Sequence, residues 1–369
     1  MKSKIIVLLT IVLVSGVLSA QNNALTPEAS YIGDVVRNFS GGIKRGTSYL
    51  GVANFKLSFN TDNAGLWKGG FFFINAANTH GGDPSADLIG DFHTVSNIEA
   101  DDLTYIHELW FRQTFNNLEV IAGLQDLNTE FVSSEYGSMF INSTFGTPST
   151  IADNVPSPIF PLTAVGISLK WNVSLKNSLK IAVFDGLPTD FEHNPYNLNW
   201  DLDKDEGFLA VTEYQYSGNS GLYRAGIYYH SQLTETGEDK NYYYNHGIYI
   251  IADQMVFRNP GRDGGIGVFG QVAFSPKAFN THNFYTGMGL SWQGPFTKRG
   301  EDKLGIAFTY AGFNDDSRKS ESVVEVSYKA QLTENIFIQP DLQYVINPEG
   351  TDQNLRNAMV GFVRFGLSF

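Results

Sequence analysis

The 369-residue chain has no cysteine, so neither disulfides nor thiolate metal sites can hold it together. After the first twenty residues it also lacks any long apolar run. None approaches the roughly 18–20 residues a membrane-spanning helix needs. Charge is scarce at 17%, and basic charge scarcer still: 25 Lys and Arg against 38 Asp and Glu leave a net charge of −13. Such a chain repels phosphate backbones, which excludes nucleic acid as a partner. Signatures of hydrolytic and zinc chemistry are missing too. The seven histidines show no H-E-x-x-H spacing, and no G-x-S-x-G occurs.

What is plentiful is aromatic and small. The chain has 28 Phe, 18 Tyr and 37 Gly. That mixture suits a closed sheet with aromatic girdles and glycine-bearing strands better than a soluble domain. The first residues read as a leader. Lys2 and Lys4 precede an apolar run from Ile5 to about Leu18, and Ser19-Ala20 precede Gln21. Residues 1–20 are therefore predicted to be a signal peptide, cleaved after Ala20 or, as the alternative, Ser19. Residues 21–369 form one barrel domain. An exported chain of this size needs no disulfides if its strands close on themselves.

The most regular stretch is Asp102–Phe131. It reads as two long strands around a tight turn at Asn116-Asn117. On the first, Tyr105, His107, Leu109 and Phe111 share one parity and Glu108, Trp110 and Arg112 the other, which makes one face apolar and one polar. This reading sets His107 and Glu108 on opposite faces, so they cannot act as a dyad. Similar segments recur from a first, weak strand at Tyr31–Asn38 through Thr47–Asn60 and Gly65–Asn78 to Asn357–Phe369. The count is 16. Long and short gaps mostly alternate, as an up-and-down barrel requires, because every second turn lies on the same side. The gaps 275–282 and 293–302 fit that alternation least. The predicted fold is an all-β, 16-stranded antiparallel transmembrane barrel with long extracellular loops. A one-residue slip would push charges such as Glu325, Lys329 and Arg364 into lipid, at roughly 2–4 kcal/mol for a basic residue at the midplane. The competing fold, a soluble β-sandwich, has shorter strands and no alternation of turn lengths.

Two short patterns have blander readings. Gly265–Gly270 matches G-x-G-x-x-G but lies inside a strand with no helix behind it, so its glycines are wall positions. Asp201–Gly207 resembles the start of a calcium loop, with its glycine one place late and Thr212 where the bidentate Glu belongs; an acidic outer loop is the better reading. Tyrosines such as Tyr242–Tyr244 are assigned to the interfacial girdle rather than to sugar stacking.

Several stretches resemble the carbohydrate-selective porins, the OprB-like family: Gly65–Pro84, Leu103–Gln113, Gly123–Phe131, Phe140–Leu162 and Ala252-Asp253-Gln254, with Ser40–Leu50 fitting the family's start. The likeness keeps its order over nearly the whole mature chain. It implies a 16-stranded outer-membrane barrel of a Gram-negative bacterium that passes mono- or oligosaccharides by diffusion, with a long loop folded into the channel as a constriction. Two positions depart from the pattern: Arg112 stands where a glutamate is expected, and Leu124 where a basic residue is expected. The C-terminal Val363, Phe365, Leu367 and Phe369 resemble the signal read by the barrel-assembly machinery.

The resulting expectation is a passive porin needing no cofactor and carrying out no catalysis. A general, weakly selective diffusion porin is the alternative, and an outer-membrane barrel enzyme the less favoured one. Whether three barrels associate is left open. With Thr79–Asp101 as the alternative, the constriction is assigned to Asn128–Thr163. At roughly 36 residues this gap far exceeds the usual 12–15-residue limit of a structureless connection. Its Phe131, Tyr136, Met139, Phe140, Ile141, Phe145, Ile159 and Phe160 need burial, which the lumen can supply. A short helical turn is predicted over Ser134–Phe140. The predicted pore residues are Glu108, Trp110, Arg112, Asp126, Asn128 and Arg364. In this picture Trp110, Asn128 and the loop aromatics form a slot for a sugar ring, and opposed charges at the waist orient its hydroxyls.

Overall fold

A computed structural model describes residues 24–200, 202, 206–236, 241–260, 264–278, 280–297, 300–314, 319–349 and 355–369. The predicted leader and most of the Asp201–Gly207 stretch lie outside these residues. Sixteen strands follow in chain order: β1 (Leu25–Gly42), β2 (Gly46–Asn60), β3 (Gly70–Gly81), β4 (Leu103–Phe115), β5 (Leu118–Gln125), β6 (Ala164–Asn172), β7 (Asn177–Asp185), β8 (Phe208–Ser217), β9 (Gly221–Thr236), β10 (Asn241–Arg258), β11 (Gly265–Phe274), β12 (His282–Gln293), β13 (Lys303–Phe313), β14 (Ser320–Thr333), β15 (Ile336–Ile346) and β16 (Arg356–Ser368). Each pairs antiparallel with its chain neighbours, and β16 pairs with β1, so the sheet closes without an edge. Closure ends on the last residue: Phe369 N–H donates to Ala29 O at 2.8 Å, and Ala29 N–H to Phe369 O at 3.0 Å.

The exposure pattern shows which solvent lies outside. Along β10, Ile248 and Ile250 are 51% and 54% exposed, whereas Tyr249 and Ile251 between them are 1% and 0%. Ile181 and Val183 stand out in the same way on β7, flanking buried Ala182 and Phe184. A wall studded with exposed Ile, Val, Phe and Leu all round is stable in lipid and not in water. Among the described residues no helix is long and apolar enough to cross a membrane; the strands do the crossing.

Turn chemistry explains most boundaries. At the two-residue β4–β5 turn, Asn116 takes φ 51°, the left-handed region that asparagine tolerates. Residues 61–69, partly expected to be strand, form a turn instead. Thr61 Oγ1 closes it by donating to Trp67 O at 2.6 Å and Gly70 O at 3.0 Å. On β1 the ladder starts earlier than expected, at Leu25 opposite Phe59. The long connection 294–302 is held by Asp302, whose carboxylate accepts from the Phe296 and Thr297 amides at 3.1 and 3.2 Å.

One register feature overturns an expectation. β4 pairs Glu108 with Asn75 but Ile106 with Ala76, so a bulge at His107 inserts one residue. A bulge shifts side-chain parity. His107 and Glu108 consequently both turn inward and are buried to the same degree. Their assignment to opposite faces was wrong, because strict alternation cannot register an inserted residue.

Candidate functional site

The lumen is filled by two loops. Residues 126–163, between β5 and β6, bring their aromatic side chains to inward positions of strands far around the barrel. Phe131 packs with Leu209, Val211 and Tyr249, while Phe140 and Phe145 cluster with Phe269 and Ala307. A 3₁₀ turn at Gly137–Met139 falls within the predicted helical stretch. Wall glycines make the room. A Cβ on Gly267 would fall 2.2 Å from the Tyr136 ring, and one on Gly305 would fall 2.7 Å from the Phe140 ring. Of the G-x-G-x-x-G run, Gly267 alone makes room for the loop; Gly265 meets the β10 backbone instead, and nothing crowds Gly270. Residues 82–102 also enter. Leu88, Ile89, Val95 and Ile98 pack against Val36, Leu50, Val345 and Val360 of the wall. Two loops, not the one expected, pack inside the wall, and they hydrogen-bond to each other: Asn97 N–H to Ile141 O at 2.8 Å and Ser143 N–H to Thr94 O at 3.0 Å.

Buried wall carboxylates fasten both loops. Glu213 accepts from the Val132 amide at 2.9 Å. Asp253 accepts from Ser134 Oγ at 2.7 Å and the Tyr136 amide at 3.1 Å while paired to Arg224 Nη1 at 2.7 Å. Glu325 accepts from the Ile141 and Asn142 amides, and Glu321 from those of Phe92 and His93. A buried carboxylate is costly unless donors surround it, and here loop backbone supplies them.

Between the loops lies a cavity of about 400 Å³. Asn97, Asn128, Ser143, Thr144, Thr147 and Ser149 give it polar walls, and Phe92, Ile159 and Phe160 apolar ones. His93 and Glu99 also line it. Burial, then the nearby His282, pulls the His93 imidazole down to about 3, so it is neutral at ordinary pH. Burial, then Asp83 and Asp91, pushes the Glu99 carboxyl up to about 10, so it keeps its proton. No lysine or arginine is among the described lining residues. Asn97 Oδ1 and Thr144 Oγ1 are buried behind the lining and have no hydrogen-bond partner within the protein.

The six predicted residues divide into three groups. Asp126 and Asn128 line the cavity. Asp126 also caps the short helix Leu127–Glu130, accepting from the Asn128 amide at 2.7 Å, and its other oxygen lies 3.1 Å from His107 Nε2. Glu108, Trp110 and Arg112 form a separate patch of inward wall. Trp110 stacks on Phe73 with centroids 4.9 Å apart and donates to Glu108 Oε1 at 3.1 Å. Arg112 lies over the Phe71 ring at 4.8 Å and 4.0 Å from Glu119. Opposite Trp110, Gly123 sits at φ 134°, where a Cβ would come 2.3 Å from Leu109 O. Arg364 is different. It is buried and clamped bidentately to Asp34 at 2.7 and 2.8 Å, with Ser96 of the first loop donating to the same carboxylate. It faces inward as its parity demanded, but as a brace beneath a loop rather than a free charge at a waist. The single slot of Trp110, Asn128 and loop aromatics is also not formed. Phe131, Phe140 and Phe145 are consumed in packing, and Trp110 does not line the cavity. Sequence reasoning held the first loop only as an alternative, saw Asp253 only within a family-like stretch, and missed the wall acids Glu213 and Glu321 as loop anchors. Lone acids at inward parity in apolar strands were the available signal.

A closed 16-stranded barrel with an apolar outer wall and loops packed into its interior is the architecture of a porin. Residues 44–369 match the carbohydrate-selective porin, OprB family, and the chain belongs to that family. It is 23% identical over 400 aligned residues to Porin B of Pseudomonas aeruginosa, covering 92% of this chain and 86% of that protein. Among solved structures it is similar to the high-pH structure of Pseudomonas putida OprB, with a TM-score of 0.85, 20% identity and 94% of each chain covered. The outer membrane channel DcaP of Acinetobacter baumannii shares the fold at a TM-score of 0.58 and 8% identity, over 94% of this chain and 97% of that one. The protein is thus a carbohydrate-selective porin of a Gram-negative outer membrane, through which sugars diffuse passively.

Proposed function

We propose that a sugar passes through the cavity between the two loops and then along the inward patch of Phe71, Phe73, Glu108, Trp110 and Arg112. In the cavity the amides and hydroxyls replace the water around the sugar's hydroxyl groups, while Phe92 and Phe160 meet its C–H faces. Asp126 and Asn128 act there, Glu108, Trp110 and Arg112 act on the wall, and Arg364 supports the first loop through Asp34. The barrel does no chemistry on its passenger and needs no cofactor. Residues 1–20 serve export. The terminal aromatic strand is what the barrel-assembly machinery reads.

The observation that carries the sugar path is the cavity itself: about 400 Å³ of ring-sized space lined by the amides and hydroxyls of Asn97, Asn128, Ser143 and Thr147. Asn128→Leu and Ser143→Ala, at half-buried lining positions, test it in planar bilayers. Each removes a hydrogen bond of about 1 kcal/mol to the sugar, so the half-blocking sugar concentration should rise on the order of fivefold with the folded barrel unchanged. Unchanged block in both variants would move the sugar path elsewhere.

A further inference from the structure

We propose that Glu321 and Glu325 of β14 are positioning residues that together set the channel width, one holding each loop. The proposal rests on the reading above that the passage runs between the two loops. The two acids lie four residues apart on one strand, so they share its inward face. Both are fully buried. Glu321 accepts from the Phe92 amide at 2.8 Å and the His93 amide at 2.9 Å in the first loop. The Glu349 amide donates to it as well, at 2.9 Å. Glu325 accepts from the Ile141 amide at 2.6 Å and the Asn142 amide at 3.0 Å in the second loop. Next to Glu325 in the ladder, Gln343 touches both loops: its Nε2 donates to Val95 O at 2.8 Å, and its Oε1 accepts from Asn142 Nδ2 at 3.1 Å. The segments held this way, 92–97 and 141–147, supply about half of the cavity lining, including Phe92, Asn97 and Thr144.

The geometry makes one strand the common mount of both lips. The loops are also tied to each other by the Asn97–Ile141 and Ser143–Thr94 backbone bonds. Freeing either anchor therefore leaves its loop held partly through the other. Glu213 serves as a contrast. It fastens Val132, which lies outside the cavity lining, from the opposite part of the wall.

A glutamine in place of either acid keeps the shape but presents an NH₂ group to a backbone amide, turning one attraction into a repulsion. The test uses the full-length barrel in planar bilayers, with potassium chloride current and block by glucose and sucrose as readouts. Folding is checked by heat-modifiable migration. Glu325→Gln and Glu321→Gln should each raise single-channel conductance on the order of 1.5-fold, with weaker sugar block, and the double variant should exceed the product of the two. Gln343→Leu, an uncharged change at the same mount, should act in the same direction, which keeps the test open should a glutamate variant fail to fold. Glu213→Gln should stay near the wild-type conductance, although a purely structural role would affect it equally. A folded double variant with wild-type conductance and sugar block would overturn the proposal. Failure of the wild-type protein to pass current would instead overturn the channel reading beneath it.

Discussion

At the scale of single residues, the lumen is organised by partners rather than by charges. Inward-facing charge was legible from parity: Glu108, Arg112, Glu325 and Arg364 all sit on the face where lipid cannot reach them. What each charge does was not legible, because its partner comes from a loop or from a distant strand. Arg364 meets Asp34 only through the closure of β16 on β1. His107 was misplaced by a single inserted residue. Arg112 remains the predicted site charge with the most freedom, since it rests on Phe71 and reaches Glu119 only at 4.0 Å. A surface-like pair at that distance holds it weakly. Arg112→Glu should therefore shift ion selectivity towards cations, with the potassium-to-chloride permeability ratio rising on the order of twofold. The reversal potential in a salt gradient measures this, and an unchanged value would remove Arg112 from the conducting path.

At the scale of elements, the strands were readable and the loops were half readable. Period-2 alternation gave all sixteen strands, because a wall between lipid and lumen enforces it at nearly every position. The ends of β1 and β3 were less clear, since Pro27 and the Gly-rich turn at 61–69 break the alternation near the rim. The second loop announced itself through aromatics that needed burial. The first did not, because its Gly, Asp and Ser content reads as an ordinary surface connection; its four buried aliphatics, Leu88, Ile89, Val95 and Ile98, were too sparse a signal. Replacing Ser133–Asn154 with a short Gly-Ser linker should remove the Phe140 and Phe145 cluster together with the Ile141 and Ser143 bonds to the first loop. The barrel should fold, conduct on the order of two- to threefold more, and discriminate sugars less well. The increase is bounded because the first loop keeps its own anchors at Glu321 and Asp34. Wild-type conductance in that variant would assign the narrowing to the first loop alone.

At the scale of the whole molecule, closure, wall and loops form one argument. Lipid outside requires backbone groups to be paired, and the ladder closes on itself down to the Phe369–Ala29 bonds. The inward face is thereby freed for acids, and those acids hold loops inside the barrel; in the proposed function the hydroxyl- and amide-lined space between the loops is the passage. Selection of sugars by that passage is the central claim, and titration of the purified barrel in planar bilayers tests it most directly. Single channels should carry a steady current in potassium chloride that neutral mono- and disaccharides reduce in a saturable manner. A current indifferent to sugar at all concentrations would contradict the account and describe a general diffusion pore instead.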